Sequence, residues 1–225
     1  MSKDAIIEYL RRYRRDINFR LAVNLALTLA VNVIYSAFKL IAAIYFSSNW
    51  QGAVGVYYAI LSIIRFTLLW SVRKTGIGGD YESDLKKYRV VGLMLVMLTV
   101  ALSAMAVLMI RDNKHVEYPG SLIFLASLWA FYNVSVVIVQ LVRHRKNMTP
   151  ISAASRAISF SAALVSLLSL QTSLLARFAD QSTAFVRAMN IRTALIVILI
   201  ILFISVFMTV GSTKALRDIN SDGQE

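Results

Sequence analysis

The stretch Leu21–Phe46, LAVNLALTLAVNVIYSAFKLIAAIYF, decides the fold. Lys39 is its one charged residue. At helical rise it extends about 39 Å, enough to cross a hydrocarbon core about 30 Å thick. A core helix of a soluble domain needs neither this length nor this apolarity all round. Its polar residues are ordered. Asn24, Thr28, Asn32 and Ser36 recur every four residues and share one helix face, and Lys39 continues that face.

Five further runs of the same kind follow outward along the chain: Trp50–Val72, Val90–Ile110, Pro119–Val142, Pro150–Phe178 and Ile191–Val210. The second is rich in aromatic and β-branched residues, but a strand would need far less length, so it also reads as a helix. Thr149 before Pro150 has the form of an N-cap with proline in the first turn. Pro119 suits a first helical turn, and Gly76, Gly78 and Gly79 separate the second run from the third. The expected fold is all-α: a polytopic six-transmembrane-helix bundle over residues 21–212. Residues 1–20 form a basic N-terminal helix or an extension of the first span, and residues 213–225 a short tail. The charged N-terminus and the long run behind it do not read as a cleavable signal peptide.

Composition agrees: 58% of the 225 residues are hydrophobic and 16% charged, against about a quarter charged in soluble domains. The net charge of +12 sits in short connections, where basic side chains meet lipid phosphates and set topology; no nucleic-acid partner is expected. Seventeen Lys and Arg fall on one side of the spans and five on the other. This places both termini in the cytoplasm, most simply across the plasma membrane. With no cysteine, disulfides and thiolate metal sites are excluded. His115 and His144 both fall in connections, and Met94, Met97, Met105 and Met109 on the third run read as gap fillers. No metal ligand set, cofactor motif or catalytic constellation is present, so no enzyme and no cofactor are expected.

Two cations inside apolar runs, Lys39 and Arg65, are the main functional candidates. No Asp or Glu falls inside any of the six runs, which removes the usual parts of proton relays and cation sites. Arg65 lies within snorkelling reach of the cytoplasmic side. Tyr58, Ser62 and Arg65 share a face of the second run that could complement the row from Asn24 to Lys39. With Tyr57, these residues form a candidate pore or ligand lining. The fifth run carries small residues, among them Ser159, Ala162 and Ser166, which suit close helix packing.

Lys39–Arg65, KLIAAIYFSSNWQGAVGVYYAILSIIR, resembles the end of the first helix, the outer loop and the second helix of the cation diffusion facilitator family. Arg145–Leu168, RKNMTPISAASRAISFSAALVSLL, resembles that family's fourth-to-fifth connection and fifth helix, with Ser161, Ala162, Ala163 and Ser166 echoing its small-residue pattern. The resemblance implies a homodimeric six-helix transporter. The family's metal ligands, two Asp/His pairs on the second and fifth helices, align here with Tyr57 and Leu61 and with Ile158 and Ala162, none of them a metal ligand. The family's cytoplasmic metal-binding domain has no counterpart in the last residues. The sequence therefore implies a divergent relative that does not carry zinc by the family's route and handles an anionic or neutral polar solute. The other reading is a non-transporting scaffold or accessory subunit. Expected partners are the bilayer itself, an anionic lipid or small solute, and a second copy.

The cysteine-free chain makes topology directly measurable. Single Gly78→Cys, His115→Cys and His144→Cys variants are treated with a membrane-impermeant maleimide in intact cells. His115→Cys is expected to label at once, and the other two only after permeabilisation. Equal labelling at 115 and 144 would remove the fourth span.

Overall fold

The structure, a computed structural model, describes residues 8, 11, 17–75, 81–112, 120–143, 149–178 and 183–222. Six helices follow in order: α1 Ile17–Tyr45, α2 Asn49–Thr75, α3 Tyr81–Asp112, α4 Gly120–Arg143, α5 Pro150–Phe178 and α6 Thr183–Asp222. No strand occurs among the described residues. Five of the helices are long and apolar enough to cross a membrane. In α4, Ala126–Gln140 is a further apolar stretch among the described residues. The chain is a helical membrane bundle.

Each expected run lies within one of these helices or overlaps nearly all of it, but the helices reach further. Helix α3 starts at Tyr81, nine residues before the apolar run begins, because charged residues with good helix propensity, from Glu82 to Arg89, extend it. Helix α6 has 40 residues, about 60 Å at helical rise, and continues through Gly211 into the segment read as a separate tail. Ile17–Arg20 belong to α1; most of residues 1–16, the glycines at 76–79, Pro119, His115 and His144 lie outside the described residues.

Connections follow from capping chemistry. At the end of α1, Ser48 N donates to Ala43 O at 3.0 Å and Ser47 N to Ile44 O at 3.4 Å. With Ser47 at φ 48°, this is a left-handed helix stop of the kind glycine usually supplies. Ser48 Oγ then accepts from Gln51 N at 3.4 Å, capping α2. Thr149 caps α5 as expected: its Oγ1 accepts from Ser152 N at 3.3 Å.

Helices α1 and α2 form one extensively packed pair, α3 and α6 a second, and α4 packs on α5. Helix α5 also meets α2, α3 and α6. Burial separates inner from outer helices: 61% of the apolar stretch of α2 and of α5 is buried, against 28–33% of those of α1, α3 and α6. The outward faces are apolar, with Ile34, Ile44, Phe124, Phe131 and Phe203 all exposed, as lipid requires.

Two glycines set the close approaches. A Cβ on Gly55 would lie 2.8 Å from Leu40 Cγ and 3.1 Å from Leu40 N, so α2 rests almost on the α1 backbone. One on Gly92 would lie 2.7 Å from Thr209 Oγ1 and 3.2 Å from Ser205 O, joining α3 to α6. Small residues at such crossings let membrane helices gain dispersion contacts. Gly211 has open space around it. Gly55→Val should therefore lower the thermal midpoint of the detergent-purified protein by the equivalent of roughly 1–3 kcal/mol, while Gly211→Ala leaves it nearly unchanged. Equal midpoints for the two variants would refute the close α1–α2 contact.

Candidate functional site

The polar face of α1 turns inward against α2 and α5. Thr28, Asn32, Ser36 and Lys39 are buried, and so are Tyr57, Tyr58, Ser62 and Arg65 on α2. Asn24 is half-buried. The antiparallel register of α1 and α2 brings the polar residues together in levels.

At one level sits Arg65, 2% exposed. Its Nη1 donates to Thr28 Oγ1 on α1 at 2.7 Å and its Nη2 to Ser159 Oγ on α5 at 3.2 Å. Both hydroxyls are already oriented as acceptors. Thr28 gives its own proton to Asn24 O at 2.7 Å, and Ser159 gives its proton to Ser155 O at 3.0 Å. Snorkelling, open in the sequence, does not occur: the guanidinium points into the bundle.

Lys39, 1% exposed, occupies a second level. It lies eleven residues from Thr28, about 16 Å along α1. Its Nζ donates to Gln51 Oε1 at 2.8 Å and to Ser169 Oγ at 3.3 Å. It also lies 5.4 Å from the centroid of the Tyr35 ring, within cation–π range.

Between the two levels, Ser36 Oγ donates to Gly55 O at 2.8 Å, which the missing glycine side chain permits. Tyr58 Oη donates to Ala162 O on α5 at 2.6 Å. Tyr35 stacks on Trp129 of α4, centroids 3.9 Å apart and planes at 4°, and meets Tyr58 edge-on at 4.8 Å. Four helices thus surround this seam.

Several buried donors in it have no hydrogen-bond partner: Asn32 Nδ2, Gln51 Nε2, Tyr57 Oη and Arg65 Nε. With Lys39 and Arg65 inside it, and no Asp or Glu between residues 17 and 79, the seam is rich in donors and positive charge. It suits an anion or a hydrogen-bond-accepting solute and repels a metal cation. Among the described residues no cluster of metal-ligating His, Cys, Asp or Glu occurs. The aligned positions Tyr57, Leu61, Ile158 and Ala162 are all buried in the core.

Some expected members do not join the seam's interhelical bonding. Ser62 bonds back to Tyr58 O at 2.8 Å within its own helix. Asn24 lies beside a pocket of about 310 Å³ between α1 and α4, with Thr28, Tyr132 and Gln140. Met94 and Met97 face outward. Sequence reading missed Gln51, Ser169 and the Tyr35–Trp129 stack. Ser169 was within reach, since it continues the small-residue row of α5 at helical spacing. Gln51 sits in the first turn of α2 beside the outer connection, where no periodic signal marks it.

The fold and site define a class, a helical membrane bundle with a buried cationic seam. Comparison with protein-family models, with curated proteins and with solved structures found no match in any of the three.

Removing one partner of a buried charge costs more than removing the charge itself. Thr28→Val and Ser159→Ala should each lower the thermal midpoint by roughly 1–3 kcal/mol equivalent, and Arg65→Met by less than either. If Arg65→Met proves the most damaging of the three, the guanidinium is a net stabiliser and this account of the seam is wrong.

Proposed function

We propose that the chain is a transporter-like or solute-binding membrane protein of six spans with both termini cytoplasmic, a divergent relative of the cation diffusion facilitators. Its cargo is an anionic or neutral polar solute rather than a hard divalent cation. One observation carries the choice of cargo: two fully buried cations, Lys39 and Arg65, face a seam whose unmatched groups are donors and whose helices carry no carboxylate. Intramembrane charge is costly and marks substrate paths. The two cationic levels lie about 16 Å apart along α1, a spacing that lets a solute exchange one set of donors for the next, with Asn32 and Tyr57 available between them. The seam is closed by packing, so passage requires α1 and α2 to move relative to α5.

The test is uptake into proteoliposomes of radiolabelled phosphate, sulfate and small carboxylates, with zinc as the contrasting cargo. Uptake of one anion class that falls at least about tenfold in Lys39→Met and Arg65→Met, with thermal midpoints no lower than that of Thr28→Val, is the expected result. Zinc uptake, or anion uptake indifferent to both substitutions, would overturn the proposal. Absence of any uptake together with a stoichiometric partner retained in mild detergent would replace it with the scaffold reading, which the tightly packed small-residue face of α5 favours.

A further inference from the structure

A second feature lies away from the seam, on the lipid-facing side of α3, α4, α5 and α6. A crevice of about 350 Å³ is lined by Phe160, Phe203 and Phe207, with Tyr88, Gln140 and Arg156 among its polar members. Phe203 and Phe207 are 72% and 68% exposed, so the crevice opens outward. It lies at the end of the bundle where α3 and α5 begin and α4 ends, the side that the basic residues assign to the cytoplasm. Arg89, Lys214 and Arg217 stand at the same end. Gln140, which lines both this crevice and the pocket between α1 and α4, has a buried Oε1 with no hydrogen-bond partner.

An apolar groove in a membrane protein accepts acyl chains as a matter of course; the polar groups make this one selective. A guanidinium beside a phenol and an amide, above aromatic walls, matches a phosphate carried on an acyl chain. Gln140, on the same lining, has an unmatched oxygen that offers an acceptor for a headgroup hydroxyl. We infer that the crevice binds an anionic phospholipid with a hydroxyl-bearing headgroup, of the phosphatidylglycerol type. Its phosphate sits on Arg156, its headgroup hydroxyl donates to Gln140, and one acyl chain lies along Phe160, Phe203 and Phe207. Zwitterionic lipids of the same chain length bind less well, because their cationic headgroup meets Arg156.

Native mass spectrometry of the detergent-purified protein, given phosphatidylglycerol and phosphatidylcholine with identical chains, reads this directly. The expected result is about tenfold preferential retention of phosphatidylglycerol, the worth of one charge-assisted contact. Arg156→Gln should abolish the preference and Arg156→Lys retain most of it. Ala157→Phe, which fills the crevice without touching its charge, should reduce retention of both lipids and serves as an independent check if Arg156→Gln folds poorly. A preference unchanged in both Arg156→Gln and Ala157→Phe would overturn the inference. So would equal retention by glycerol 3-phosphate, which lacks the chain. A shift from monomer to dimer on filling or recharging the crevice, with lipid retention unaltered, would assign this face to a second copy instead.

Discussion

A guanidinium inside an apolar bundle must find its acceptors within the protein, because lipid offers none. Arg65 meets that constraint by drawing one hydroxyl from α1 and one from α5, and so fixes the rotation and height of three helices at once. The hydroxyls can serve only because each gives its own proton to the carbonyl four residues earlier, leaving lone pairs for the cation. Lys39 repeats the arrangement further along, with Gln51 from α2 and Ser169 from α5. Both cations depend on close backbone approach, which Gly55 provides between α1 and α2. The small residues of α5 provide it on the other side. The polar seam and the tight packing are therefore one design: loosening the helices would strand the charges, and removing the charges would leave the register less defined.

The same division explains the outer surface. Most polar groups that pair across helices are gathered between α1, α2 and α5, with Gln171 Nε2 donating to Thr193 Oγ1 from α5 to α6 as a separate contact, and the perimeter is mainly apolar. The hydroxyls outside the seam, such as Thr99, Ser127 and Thr213, turn back onto carbonyls of their own helices, which satisfies them wherever they face.

Much of this was legible in the sequence, and for a physical reason. A bilayer demands long apolar helices, so their existence could be read from length alone, and the four-residue spacing of Asn24, Thr28, Asn32 and Ser36 marked the inward face of α1. The buried fate of Arg65 was not legible. Its distance from the loop allowed snorkelling, and only the hydroxyls of Thr28 and Ser159, distant in sequence, decide against it. Helix ends were misjudged where polar residues with good helix propensity prolong an apolar run, as at Glu82–Arg89 and beyond Gly211. Hydropathy records where lipid ends, whereas backbone hydrogen bonding continues until a cap or a breaker stops it. The role of Tyr35 was hidden because an aromatic residue on a membrane helix is as consistent with lipid contact as with a stack on Trp129.

Helix α6, about 60 Å long if straight, exceeds the thickness of the hydrocarbon by about as much again. It is fastened to α3 where Gly92 meets Ser205–Thr209, and the stretch Ser212–Asp222 continues as the same rod. A rod gripped along its length works as a lever. Ser212 and Leu216 stay buried past that crossing, so the grip continues well into this stretch, and a tilt of α6 there disturbs the bundle around it. Rearrangement among the helices is thereby coupled to Ser212–Asp222 as mechanical displacement of one continuous helix.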